Sequence, residues 1–177
     1  MSGKPAPCVR LRPLIDADVA VLSSWALDTR FRELAEWSPD WSVAEYRAFW
    51  RDLIADPPQD LLRLGVEHEG ELCGYVDLHG HGDTRELGFL VGPQDRWGRG
   101  LGAAAAAAGL AHGFDVLGLH RVWAEAYDTN AASVRILARI GMVETGSGAS
   151  GAFDGQPATY RQFALRREHW HPLAASA

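Results

Sequence analysis

An alternation of glycine and arginine, between an apolar stretch and an alanine-rich stretch, is the part of this sequence best suited to chemistry. The residues concerned are Arg96, Trp97, Gly98, Arg99, Gly100, Leu101 and Gly102. Glycine lets the backbone approach an anion closely, and the free N–H groups of a helix's first turn point at such a ligand. The two arginines add positive charge. The motif therefore predicts a phosphate-binding loop that opens a helix.

A second motif follows after one further predicted strand. Asn130 opens a helical pattern, Ser133 lies in its first turn, and Gly141 ends it. With the glycine loop, this motif makes residues 85–146 resemble the Gcn5-related N-acetyltransferases (GNAT), and within them the branch that contains the ribosomal-protein N-terminal acetyltransferases. Residues 160–170 look like the closing strand of that branch. Residues before position 60 match it only in pattern.

The resemblance implies acetyl-CoA as the cofactor and assigns residues to its binding. In that family the glycine loop binds the pyrophosphate, and a backbone N–H near Leu90 or Val91 polarises the thioester carbonyl. Asn130 would hold the pantetheine arm, and its position also suits the N-cap of a helix. Both roles for Asn130 are compatible.

Two positions depart from the family pattern. Trp97 stands where the wider superfamily has glutamine or arginine, so phosphate binding falls mainly to the backbone, Arg96 and Arg99. Many members also carry a tyrosine, the proton donor, at the position that is Leu137 here. Ser133 is then the candidate that protonates the departing thiolate, and its alternative is an ordinary first-turn serine.

An amine acceptor must lose a proton before it attacks a thioester, so a base is required. Glu86 is the first candidate, because the related family often carries a glutamate on this strand. Glu125 and Asp77 are the alternative candidates for the base, and both are also candidates for binding the acceptor amine. The alternative for Glu86 is a surface carboxylate paired with a neighbouring cation.

Four tryptophans crowd the first fifty residues, at Trp25, Trp37, Trp41 and Trp50. Aromatic walls can position an ammonium by cation–π contact, whereas core packing is the simpler explanation for most of them. Trp37 and Trp41 precede a predicted helix and are the candidates for an acceptor wall.

A cluster of histidines and aspartates remains outside these assignments. It comprises Asp77, His79, His81 and Asp83. An extended chain would project all four to one side as a cation site, but the intervening glycines favour a polar turn. We therefore predict no bound metal.

The glycine loop also satisfies the spacing of a dinucleotide-binding fingerprint, through Gly98, Gly100 and Ala103. That architecture needs further strand-helix-strand units, and only one predicted helix follows Asp128. A dinucleotide-binding fold is therefore disfavoured.

Composition sets outer limits on function. The chain has 177 residues, which suits one domain, and a net charge of −6, which argues against nucleic acid as a partner. Its two cysteines, Cys8 and Cys73, form no disulfide framework and fit a reducing cytoplasm. The sequence contains no long apolar run, so no membrane span is predicted. We expect a single domain over residues 1–177, with a loose arm at 1–7 and a tail at 171–177.

The elements that must position these residues follow from local signals. Strands are predicted at 9–12, 61–67, 72–78, 84–91, 121–127, near 143 and at 160–165. Glu69-Gly70 is the hairpin signal that joins the second and third of these strands. Helices are predicted up to about residue 25, from the capping box Ser42–Glu45 to before residue 56, at 101–117 and at 130–140. Residues 146–151 are predicted to be a flexible loop. The resulting fold class is α/β (α+β): a mixed, mostly antiparallel, twisted sheet of about seven strands flanked by about four helices.

Together these inferences predict a cytoplasmic, acetyl-CoA-dependent N-acetyltransferase that transfers directly to a primary amine in a ternary complex. The amine belongs to a protein N-terminus or to a small molecule, and a homodimer is compatible with this interpretation. The competing hypothesis is a catalytically silent acyl-CoA-binding or regulatory module of the same fold.

Overall fold

A seven-stranded sheet forms the centre of the computed structural model, which describes residues 6–171. The strands are β1 (Arg10–Pro13), β2 (Leu61–His68), β3 (Glu71–His79), β4 (Thr84–Val91), β5 (Arg121–Tyr127), β6 (Val143–Phe153) and β7 (Gln156–Arg166). They lie in the order β1-β2-β3-β4-β5-β7-β6. Every neighbouring pair is antiparallel except β4 and β5. The predicted mixed sheet is confirmed, whereas most of the predicted terminal arm and tail lies outside the described residues.

Within residues 6–171, five α-helices cover the two faces of the sheet. They are α1 (Asp18–Trp25), α2 (Thr29–Leu34), α3 (Val43–Ala55), α4 (Leu101–Ala111) and α5 (Ala131–Arg139). The first three pack around Trp25, Trp50 and Tyr75 on one face. The last two enclose a second core, with Leu110 and Leu137 packed near strand residues of the other face. The apolar alternation of the strands thus builds one core on each side.

Local signals placed several elements correctly. The Ser42 hydroxyl accepts the N–H of Glu45, and the Glu45 carboxylate accepts the N–H of Ser42, so the capping box begins α3. Glu69 and Gly70 turn the β2–β3 hairpin with φ angles of 53° and 82°. Two left-handed central residues give the turn that matches the twist of antiparallel strands.

Three elements differ from the sequence predictions. Helix α2 was not predicted because it has only six residues; its N-cap Asp28 accepts the N–H of Phe31. The helix predicted at 101–117 ends at Ala111 and continues as a π-helical turn to Val116. The flexible loop predicted at 146–151 is wrong, because those residues belong to β6 and pair with β7. Two shifts of the β6–β7 register accommodate its many small residues.

Candidate active site

The central feature of the site is a gap between the two parallel strands. β4 and β5 pair only from Thr84 and Arg121 to Glu86 and Trp123, and then part. The other edge of β5 pairs with β7 along its whole length. The second half of β4 therefore presents backbone groups to a space that no strand of the described chain fills.

Strand geometry decides which N–H groups of β4 face this gap. The Gly92 N–H donates to the Cys73 carbonyl on β3 at 2.7 Å. Because N–H directions alternate along a strand, the Leu90 N–H also faces β3, whereas the Val91 N–H faces the gap. Of the two backbone donors predicted for the thioester carbonyl, this geometry favours Val91.

The glycine loop leads from β4 into α4. Gly98 and Gly100 have φ angles of 71° and 84°, values that favour glycine. Gly100 is the N-cap of α4 and supplies no side-chain cap, so the N–H groups of the first turn can meet an anion. Gly102 serves packing, since a Cβ there would lie 2.9 Å from Ile136 Cδ1 on α5. Leu101 is buried and anchors the helix start in the core.

Trp97 braces the loop from within. Its indole Nε1 donates to the Gly92 carbonyl at 2.8 Å and approaches the Val91 carbonyl at 3.3 Å. The ring therefore ties the end of β4 to the start of the loop. This contact gives the tryptophan that departs from the superfamily pattern a physical role in shaping the loop.

The two loop arginines differ in whether a carboxylate already pairs with them. Arg96 Nη2 lies 2.7 Å from Glu71 Oε2 on the β2–β3 hairpin, so its charge is already paired. Arg99 is exposed, and no carboxylate within residues 6–171 lies within 4.0 Å of it. Arg99 is thus the loop cation with an uncommitted charge.

Three predicted carboxylates lie on one face of the sheet, which we call the acidic floor: Asp77, Glu86 and Glu125. Glu86 is the last residue of β4 that pairs with β5, where it lies opposite Trp123, and on the other side it lies opposite His79 of β3. Burial and the charge of Glu125 raise the pKa of Glu86, and Asp77 adds to this against the opposing effect of His79. A carboxylate with a raised pKa is a stronger base.

Of these carboxylates, Asp77 is committed to a neighbour. Its two oxygens accept from Arg63 Nε and Nη2 at 2.7 and 2.6 Å. The guanidinium also lies 4.3 Å from the centre of the Tyr75 ring. Glu125 accepts a 3.1 Å hydrogen bond from Gln162 Nε2. Glu86 and Glu125 are therefore the floor carboxylates that no arginine neutralises within the described chain.

The start of α5 borders the gap. Asn130 is the N-cap, and its Oδ1 accepts the Ser133 N–H at 3.2 Å. This bond uses the carbonyl oxygen of Asn130 and leaves its NH₂ group for another partner. Ser133 is half-buried in the first turn, whereas Leu137 is fully buried in the core. A tyrosine at position 137 would therefore have to displace core side chains.

The tryptophans divide between core and surface. Trp25 and Trp50 are buried in the core, which agrees with the prediction that core packing accounts for most of the tryptophans. Trp37 lines an opening of about 620 Å³ that we call the α2 pocket; Arg32, Glu33, Glu36, Pro39 and Asp154 also line it. Trp41 is 38% exposed, packs against Tyr46 and Phe49, and does not line this pocket.

The side chains of Asp77, His79, His81 and Asp83 do not point to one common site. Gly80 and Gly82 have positive φ angles and bend the chain, His79 faces Asp60 at 3.2 Å, and Asp83 faces His120 at 3.6 Å. Across residues 6–171, no three histidine, cysteine, aspartate or glutamate residues are grouped to hold a metal ion. In the same range no helix is long and apolar enough to cross a bilayer.

Sequence reasoning missed several residues that shape the site. Arg63 could have been found by pairing the β2–β3 hairpin from its turn, which places it opposite Asp77. Glu36 and Gly148 carried no local signal. A Cβ on Gly148 would lie 3.0 Å from Glu125 Oε2, so this glycine leaves room beside the floor.

Comparison with known proteins identifies the family of this chain. A family model described as an acetyltransferase (GNAT) domain matches residues 9–143. YdaF of Bacillus subtilis (strain 168), whose name assigns it to the ribosomal N-acetyltransferases, is 24% identical over 171 residues, or 94% of this chain and 90% of YdaF. RimJ of Mycobacterium smegmatis, solved with CoA-disulfide, has a TM-score of 0.80 at 28% identity, covering 97% of this chain and 87% of RimJ.

A further solved structure shares the fold. Spermidine N-acetyltransferase of Vibrio cholerae, in complex with CoA and spermine, has a TM-score of 0.76 at 19% identity and covers 90% of this chain and 96% of its own. The family model spans most of this chain, from β1 to the start of β6. The protein therefore belongs to the GNAT acetyltransferases, enzymes that take the acetyl group from acetyl-CoA.

Proposed function

We propose that the protein transfers the acetyl group of acetyl-CoA directly to a primary amine within a ternary complex. One observation carries this proposal: Glu86, with its raised pKa, lies at the point where β4 and β5 part. Glu86 is next to the gap and, with Asp77 and Glu125, forms the acidic floor. The gap suits an acyl chain and the floor suits an ammonium.

The binding residues follow from the loop and the gap. The first-turn N–H groups of α4 and the free charge of Arg99 bind the pyrophosphate, and Trp97 keeps the loop in shape. The pantetheine lies along the open edge of β4, where it completes the backbone hydrogen bonds that β5 does not make. The Asn130 NH₂ group holds its other side.

The chemical step needs three groups of the protein. Glu86 accepts the proton of the acceptor ammonium, directly or through water, and frees the amine to attack. The Val91 N–H stabilises the oxyanion that develops on the carbonyl oxygen. The Ser133 hydroxyl donates a proton to the departing sulfur, which leaves as a thiol, and regains a proton from the nitrogen, which thereby becomes the neutral amide.

The acceptor class rests on charge. Two unneutralised carboxylates on the floor, Glu86 and Glu125, attract a cation and disfavour an anion at the reaction point. The names of YdaF and of the Vibrio cholerae enzyme point to ribosomal proteins and to polyamines. Proteins and polyamines both offer primary amines, and we propose that the acceptor is a primary amine of a protein or of a polyamine. We also propose a cytoplasmic location, since Cys8 and Cys73 are both free thiols.

Free thiol release with a panel of amines tests the proposal. Wild-type protein should release CoA thiol only when an amine is present, and the amine should gain the mass of one acetyl group. Glu86→Gln should slow this reaction, whereas the exposed Glu168→Gln control should not. A protein that binds acetyl-CoA but acetylates no amine would instead be the silent binding module.

A further inference from the structure

Each turnover of the proposed reaction leaves one proton on Glu86. The acceptor arrives as an ammonium with three protons, and the amide that forms keeps one of them. A second proton passes to Ser133 and replaces the one that this hydroxyl gave to the sulfur of CoA. The third stays on the Glu86 carboxyl group. Glu86 must therefore pass a proton to solvent before it can act as a base again.

The bound substrates close two of the routes from Glu86 to solvent. In the proposed complex, the pantetheine fills the gap and the acceptor covers the acidic floor. The third route leads along the strands to the end of the sheet, because Glu86 is only two residues from Thr84, where β4 begins. His79 ends β3 on this route, and its side chain is 54% exposed. The route past His79 therefore reaches bulk water.

His79 is the titratable neighbour of Glu86 at the end of the sheet. The two residues lie directly opposite each other in the β3–β4 register, so their side chains share one face. Such partners have Cβ atoms about 4.5–5.5 Å apart. Within residues 6–171, Asp60 has the only carboxylate within 4.0 Å of the His79 ring nitrogens, so the Glu86 carboxylate lies beyond that distance. One water molecule can bridge two polar groups at such a separation.

Asp60 sets the orientation and the tautomer of the His79 ring. Its Oδ2 atom lies 3.2 Å from His79 Nε2, which places the ring proton on Nε2 and leaves Nδ1 as an acceptor. The Gly80 N–H donates to the Asp60 carbonyl at 2.7 Å and holds Asp60 beside the end of β3. When the ring gains a second proton, the negative charge of Asp60 stabilises the imidazolium.

Other charged side chains on this face are less suited to receive the proton. Both carboxylate oxygens of Asp77 already accept hydrogen bonds from Arg63. Glu125 is part of the floor, which the acceptor covers in the proposed complex. Arg121, at the start of β5, has no lone pair that can take up a proton. His79 combines a free lone pair with contact to solvent.

We propose that His79 and Asp60 form the proton exit of the active site. The Glu86 carboxyl group gives its proton through a water molecule to His79 Nδ1, and the imidazolium then gives up a proton to bulk water. This step restores the Glu86 carboxylate and the neutral ring, so the site returns to its starting charge. His79 touches neither substrate and acts through Glu86. The inference rests on the proposed function, because it requires Glu86 to be the base.

Buffer rescue of a histidine variant tests this exit. His79→Gln replaces an exposed side chain at a strand end, so the variant should fold. At low buffer concentration its kcat should fall about tenfold, less than for the loss of a direct base, because water still accepts the proton slowly. Added imidazole should restore most of this loss, whereas wild-type kcat should not depend on buffer concentration. The measured product is the acetylated amine, for an amine of the panel that the wild-type protein acetylates.

His120→Gln is the matched control variant. His120 also faces an aspartate, Asp83 at 3.6 Å, and lies at the same end of the sheet, but it is not opposite Glu86. Its kcat should equal that of the wild-type protein at every buffer concentration. A loss in His120→Gln that imidazole also restores would contradict a specific exit through His79.

A double variant separates this proposal from the proposed function. In a Glu86→Gln background, His79→Gln should cause no further loss, because no proton then collects at position 86. Full activity of His79→Gln, a loss that imidazole does not restore, or a loss that persists in the double variant would overturn the exit and leave Glu86 as the base. Full activity of Glu86→Gln, or acetylation of no amine by the wild-type protein, would instead refute the proposed function and the exit with it.

Discussion

Replacing Gly100 by valine should disable the binding of the cofactor while leaving the protein folded. Gly100 has a φ of 84°, and a Cβ there would lie 3.3 Å from Pro7 Cδ. The left-handed conformation costs a residue with a side chain about 1–2 kcal/mol, which is small against a typical folding stability of about 5–15 kcal/mol. The loss should therefore fall on the ligand.

The size of that loss follows from the hydrogen bonds at risk. Each backbone N–H to a charged phosphate contributes about 1.5–3 kcal/mol, so one lost bond weakens binding about tenfold to a hundredfold. Isothermal titration calorimetry with CoA measures the change in Kd. Gly118→Val is the matched control, because Gly118 has a φ of 69° with open space around it and lies outside the loop.

The comparison of the two variants decides the assignment. Equal losses of thermal stability with a CoA Kd that rises only in Gly100→Val would support the phosphate loop. An unchanged Kd in a folded Gly100→Val protein would refute it.

Three further predictions concern side chains of the site. Glu86→Gln should lower turnover most at pH values between the pKa of Glu86 and the pKa of the acceptor amine. Stopped assays across pH should show the rates of the wild-type protein and the variant converging below the pKa of Glu86, where its carboxylate is protonated. Arg99→Gln should weaken CoA binding by calorimetry more than Arg96→Gln, because Glu71 already pairs with Arg96; equal losses would contradict this. Ser133→Ala should lower kcat about tenfold to a thousandfold with little change in either dissociation constant, since the interaction develops in the transition state. Full activity would make Ser133 only a first-turn residue.

The sequence predicted elements whose signals are local. The Ser42–Glu45 capping box and the Glu69–Gly70 turn depend on neighbours within a few residues, and both stand as predicted. The β4 strand and the glycine loop were found for the same reason. Strand β6 was missed because its glycines and serines suit a loop, and only pairing with β7 makes them extended.

The site was predictable in its residue types and less so in its contacts. The register that brings Arg63 onto Asp77, and the reach of Trp97 back to Gly92, are tertiary geometry. The commitment of Arg96 to Glu71 is also invisible to local pattern. The burial of Leu137 is tertiary geometry as well, and it means that a tyrosine at this position would enter the core and not the gap.

Direct transfer is the central claim, and intact-protein mass spectrometry tests it most directly. The protein is incubated with acetyl-CoA alone and then with an amine acceptor, while free thiol is measured in parallel. We expect no acetylated protein in the first step, and in the second one acetylated amine for each thiol released. A protein that gains an acetyl group without acceptor and then passes it to the amine would contradict the account.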